Sequence, residues 1–117
     1  MYNLFLDDDL ENRHPDKYYP SGTVFVRAIN YKEAVDIVLE KGIPDFISFD
    51  HDLGDISEDE KSGYSFAKFL IDYMLDNNIT KPFKYFVHSA NPVGRVNIET
   101  YLENGFHAIR RIDDDND

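Results

Sequence analysis

Three short apolar runs in this sequence each break off into polar, chemically capable residues. Leu4-Phe5-Leu6 gives way to Asp7-Asp8-Asp9, Phe46-Ile47-Ser48-Phe49 to Asp50-His51-Asp52-Leu53-Gly54, and Tyr85-Phe86-Val87 to His88-Ser89-Ala90-Asn91-Pro92. Runs this short, lying between helical patterns, read as strands of a parallel α/β sheet. In open sheets of that class ligands bind beyond the carboxyl ends of the strands, so the three clusters are expected to meet in one site.

Between the runs the punctuation is informative. Tyr2 to Leu6 reads as the first strand, and Glu11 to Gly22, with Pro15, Pro20 and no apolar helical period, reads as an irregular loop in place of a first helix. Thr23 to Ala28 is the second strand; Asn30 then caps a helix whose apolar face is Ala34, Val35, Ile37, Val38 and Leu39, and Gly42 ends it. Phe46 to Phe49 is the third, central strand. Ser62-Gly63 precedes a second helix carrying Phe66, Phe69, Leu70, Tyr73 and Met74, with Asn77-Asn78 as its stop. Phe83 to Val87 is the fourth strand, and Pro92 opens a third helical segment through Val96, Ile98, Tyr101 and Leu102. Gly105 closes that segment before a fifth strand, Phe106 to Ile112. The expectation is one α/β domain over residues 1–112, followed by an acidic tail, 113–117, as the 117-residue length allows.

The clusters contain specific chemistry. Asp7, Asp8, Asp50 and Asp52 place four carboxylates at two strand ends, and their repulsion is costly unless a cation or a shared proton relieves it. A hard divalent ion favours such oxygen ligands, so Mg2+ or Mn2+ is the expected cofactor, held by those four residues. Asp9 reads equally as a turn residue. His88 ends a strand and can act as general acid or base, which with Asp50 and Asp8 makes the expected catalytic group. His51 alternates away from Asp50 and Asp52 if extended geometry persists, leaving it open between a substrate contact and a packed residue. Ser89, Asn91 and the helix start at Pro92 offer hydrogen-bond donors to a phosphate. Arg13, Arg27 and Arg95 lie near strand ends, where each can offset the acid charge against an anionic substrate or else face solvent.

Composition narrows the partners. With 12 Lys plus Arg against 23 Asp plus Glu, the net charge of −11 disfavours broad binding to a nucleic-acid backbone or an anionic membrane. A small anionic substrate would need local cations, such as the arginines above. There is no Cys, which removes disulfides, thiolate metal sites and thiol nucleophiles. No apolar run approaches the ~18 residues of a membrane span, and no basic leader precedes the first strand, so a cytoplasmic location is expected.

Taken together, Leu4 to Asp8, Arg13-His14-Pro15, Ser48-Phe49-Asp50-His51-Asp52-Leu53-Gly54, Ser62-Gly63-Tyr64 and His88-Ser89-Ala90-Asn91-Pro92-Val93-Gly94 resemble the cyclic-phosphate-processing receiver-like domains. These are an offshoot of the response-regulator receiver fold, and the likeness spans essentially the whole chain. The resemblance implies a three-layer flavodoxin-like fold, with a five-stranded parallel sheet in the order 2-1-3-4-5. It also implies Asp7 and Asp8 as the acidic pair, Asp50 as the central carboxylate that binds metal or accepts phosphoryl, and Ser89 as the hydroxyl residue after strand four. No Lys follows the last predicted strand, a departure from an ordinary receiver. The functional expectation is a metal-dependent phosphoesterase processing a cyclic or terminal phosphate of a nucleotide or RNA end, in the setting of RNA repair. The alternatives are a noncatalytic nucleotide-binding or sequestering module and a receiver-type phosphoacceptor.

Overall fold

Among the described residues four short strands carry the fold: β1 (Asn3–Leu6), β2 (Val26–Ala28), β3 (Phe46–Phe49) and β4 (Lys84–Val87). The structure is a computed structural model that describes residues 2–7, 19–20, 22–50, 63–88 and 92–115. The strands are all parallel, in the order β2-β1-β3-β4, with Leu6 in register with both Ala28 and Phe49, and Phe49 with Val87. Helices α1 (Tyr31–Lys41), α2 (Gly63–Asp76) and α3 (Pro92–Asp115) follow β2, β3 and β4. Parallel neighbours require such crossovers, because no tight turn can join strands that run the same way.

Successive side chains of a strand point to opposite faces of the sheet, and the two faces here are unlike. Leu4, Leu6, Ala28, Ile47, Phe49 and Val87 share one face and are buried in a single cluster with side chains from all three helices. Phe66, Ala67, Leu70, Ile71 and Met74 form the buried stripe of α2, at the spacing that keeps them on one side of a helix. Ile98, Leu102, Phe106 and Ile109 do the same on α3. The second face carries Phe5, Arg27, Phe46, Ser48 and Phe86 in the alternate positions, and Tyr19 and Phe25 pack there. Tyr19 lies 5.1 Å from Phe25 and 5.5 Å from Phe46 between ring centroids, and Phe25 lies 5.8 Å from Phe5.

The ends of the helices follow from local chemistry. Asn30 caps α1 by accepting a hydrogen bond from the Glu33 amide at 2.8 Å. Gly42 ends it in the left-handed region, with φ of 86°, and donates its amide to the Val38 carbonyl at 2.8 Å. Helix α2 stops at Asn77-Asn78: Asn78 has φ of 56°, a conformation asparagine tolerates better than most residues, and the Ile79 amide reaches back to the Met74 carbonyl at 2.9 Å.

Three sequence expectations need correction. Residues 106–112 are not a fifth strand; they continue α3, so the sheet among the described residues has four strands in the first four positions of the expected order. The periodicity explains why: Phe106 and Ile109 extend the buried stripe begun by Ile98 and Leu102 rather than alternating as strand residues would. Gly105 is a contact point and not a stop. A Cβ built there would come within 2.6 Å of Ile71 Cδ1, so its bareness lets α3 approach α2. The expected third layer is likewise not formed by the described helices, since all three pack on one face of the sheet.

Candidate functional site

Asp7, Asp50 and His88 are the first residues past the carboxyl ends of β1, β3 and β4, and hydrogen bonds carry the sheet one step further through them. The Asp7 amide bonds the Ala28 carbonyl at 3.0 Å, the Asp50 amide the Leu6 carbonyl at 2.9 Å, and the His88 amide the Phe49 carbonyl at 2.9 Å. The three therefore stand in one row at the sheet edge. By alternation they continue the face of Phe5, Ser48 and Phe86 rather than the helix-packed face. All three are buried. The apolar runs set this row: each strand ends where its hydrophobic residues do, and the register aligns the next residue of each.

His88 bridges this row. Its Nε2 lies 2.8 Å from Asp7 Oδ2, with both side chains fully buried, and its Nδ1 lies 2.7 Å from Ser48 Oγ. To meet both, the imidazole crosses over β3, which lies between β4 and β1 in the sheet. The Phe5 ring sets its plane, stacked at 4.8 Å between centroids and 6° from parallel. Tyr19 completes the chain by donating its hydroxyl to Ser48 Oγ at 2.7 Å. The Arg27 guanidinium sits 5.6 Å from the Phe5 ring centroid. A buried carboxylate is costly to keep charged unless it is hydrogen-bonded or paired, and His88 supplies one such partner to Asp7.

Of the residues singled out from the sequence, Asp7, Asp50 and His88 come together, and Arg27 lies on their face of the sheet in register with Phe5. Arg95 lies on the first turns of α3, half exposed, with its Nε 3.9 Å from Glu99 Oε1, the ordinary setting of a surface ion pair one helical turn apart. Pro92 is the first residue of α3, as expected of proline. Asp8, Arg13, His51, Asp52, Ser89 and Asn91 lie outside the described residues. Among the described residues no three His, Asp or Glu side chains form a group able to hold a metal ion. Asp7 and Asp50 are the two expected ligands that the structure places. Sequence reasoning missed Ser48 and Tyr19. The signal for Ser48 was available: it is the one polar residue within an otherwise apolar central strand, and a buried hydroxyl has a partner.

Comparison with known proteins agrees with this architecture. Among curated proteins there is no match. One solved structure with a similar chain is a fusion carrying the trimeric coiled coil of yeast Spc42. The two chains are 19% identical with a TM-score of 0.54, over 85% of this chain and 61% of that one, a likeness of fold. This chain thus spans about three fifths of that chain's length. No helix among the described residues is long and apolar enough to cross a membrane. The sequence profile of the cyclic-phosphate processing receiver domain matches residues 2–104, nearly the whole chain and all four strands, so the protein belongs to that receiver family.

Proposed function

We propose that the protein is a metal-dependent phosphoesterase acting on a cyclic or terminal phosphate of a nucleotide or RNA end. The observation that supports it best is the pair of buried carboxylates, Asp7 and Asp50, aligned on adjacent strands at the carboxyl edge of the sheet. Two such groups side by side repel each other, and an oxygen-only donor set of this kind fits a hard divalent ion. Asp7 and Asp50 would hold Mg2+ or Mn2+, joined by their sequence neighbours Asp8 and Asp52. When bound, the ion supplies Lewis-acid stabilisation of a phosphoryl oxygen.

The chain's own residues do the rest. His88 holds the Asp7 carboxylate in place. Both of its ring nitrogens face protein partners, so in this arrangement it serves through Asp7 instead of meeting a phosphate directly. Arg27 adds positive charge on the same face of the sheet, and the positive end of α3 begins at Pro92, shortly after β4. Ser89 and Asn91, between β4 and α3 in sequence, are the proposed donors to phosphate oxygens. Arg13 and His51 are the further proposed substrate contacts, whereas Arg95, paired with Glu99, contributes at most long-range charge.

The test is incubation of the full chain with Mg2+ or Mn2+ and a panel of 2′,3′-cyclic, 3′- and 5′-phosphorylated nucleotides, with products read by mass spectrometry. Turnover of at least one, abolished in Asp50→Asn and Asp7→Asn, is expected. A folded protein that retains a nucleotide unchanged is instead the sequestering module, and one that takes beryllofluoride at Asp50 without turnover is a phosphoacceptor.

A further inference from the structure

We propose that Ser48 and Tyr19 are positioning residues that set the tautomer of His88 and, through it, hold Asp7 in a fixed orientation. The functional part of this inference rests on the reading of Asp7 as a site carboxylate; the tautomer itself does not. Ser48 is fully buried in the central strand, where an unpartnered hydroxyl would be costly and an alanine or valine would pack without that penalty. Its hydroxyl is instead the middle of a chain, 2.7 Å from Tyr19 Oη on one side and 2.7 Å from His88 Nδ1 on the other.

The chain has a direction. Tyr19 donates to Ser48 Oγ, so the hydrogen of Ser48 is available to donate to His88 Nδ1. Nδ1 then accepts, and the ring proton of a neutral imidazole stands on Nε2, where it donates to Asp7 Oδ2 at 2.8 Å. The opposite tautomer would set the Nε2 lone pair against a carboxylate oxygen at that distance, a repulsive contact. Every donor therefore points toward Asp7, and the parallel stack on Phe5 keeps the ring in the plane that both bonds require. The His88 ring is fully buried, so bulk water does not compete for either nitrogen. Outer partners of this kind govern how well a site carboxylate is aimed, and their loss typically costs about 10–100-fold in metal affinity.

The proposal is tested by long-range proton–nitrogen NMR correlation of the uniformly 15N-labelled full chain at neutral pH, without metal. The expected His88 pattern is a protonated, pyrrole-type Nε2 and an unprotonated, pyridine-type Nδ1. Ser48→Ala should raise the Nδ1-protonated population and Ser48→Thr should restore the wild-type pattern, with Tyr19→Phe giving a smaller change in the same direction as Ser48→Ala. A wild-type ring protonated on Nδ1, or a pattern unmoved in both Ser48→Ala and Tyr19→Phe, overturns the proposal. The wild-type spectrum decides the tautomer even where a variant fails to fold. As a second arm, Ser48→Ala should weaken binding of Mn2+ alone by about 10-fold, with Ser48→Thr recovering most of it. Equal Mn2+ affinity in wild type and Ser48→Ala overturns the link to Asp7. Absence of Mn2+ binding in both sinks the metal-dependent reading and the functional link together, while the tautomer is judged on the spectra alone.

Discussion

The two faces of this sheet are built from alternate residues of the same strands, yet they serve different ends. On the helix-covered face, Leu4, Leu6, Ile47 and Phe49 pack into one apolar cluster with α1, α2 and α3. On the other, Phe5, Ser48 and His88 interleave ring and hydroxyl so that a polar chain runs from Tyr19 to Asp7 at the sheet edge. Burial on the first face is nondirectional and tolerates apolar exchange of similar volume, whereas each link on the second depends on one donor meeting one acceptor. Apolar packing makes the strands a sheet, and directed hydrogen bonds order the residues at their ends.

The largest effect that can break this division is a cavity in the helix-covered core. Leu70→Ala should destabilise the fold by about 2–5 kcal/mol in urea unfolding, whereas Phe86→Ser, half exposed on the opposite face, should stay within about 0.5 kcal/mol. Comparable losses from both would mean that the second face bears as much of the stability as the first. The α2–α3 contact gives a smaller test. Gly105→Ala places a Cβ against the Ile71 side chain, and the crowding should outweigh the helix-propensity gain by about 1 kcal/mol. The same substitution beside Ile71→Ala should lose much of that cost, a coupling readable from a double-mutant cycle.

The smallest effect is confined to alkali and again belongs to the helix-covered face, against which Tyr2 and Tyr85 pack. Burial, with Tyr73 nearby, pushes the Tyr2 phenol up to about 12. Burial, then the hydrogen bond to Glu103 and the charges of Glu103 and Glu99, raises Tyr85 as well. Both phenols are thus held protonated by the fold more strongly than in the unfolded chain. Their contribution is fully present below the unfolded value of about 10 and is lost as pH rises from there through the folded values. Urea midpoints should fall beyond about pH 10, more gently in Tyr2→Phe. No change in slope for that variant would remove Tyr2 from the account.

Much of this arrangement is written locally. Asn30 and Gly42 mark both ends of α1 because each answers a backbone requirement of its own, and the runs ending in Asp7, Asp50 and His88 reveal the edge because hydrophobicity stops there. Gly105 misleads for the opposite reason: its cause is a neighbour on another helix, Ile71, which no local pattern contains. The apolar residues after it, Phe106 and Ile109, keep the helical spacing of Ile98 and Leu102, and that stripe packs on α2. Ser48 and Tyr19 are separated by 29 positions, so their bond is invisible until the strands are in place.

Strand β4 has a consequence for how copies of the protein meet. It is an edge of the four-stranded sheet among the described residues, and an edge strand offers its unpaired amides and carbonyls to any passing chain. This one is only 4 residues long and carries Lys84, exposed, at its start. A second copy approaching strand to strand would bring its own lysine and a net charge of −11 against the same total. Brevity, a local cation and long-range repulsion together make the edge a poor template for aggregation, most of all in low salt where that repulsion reaches furthest.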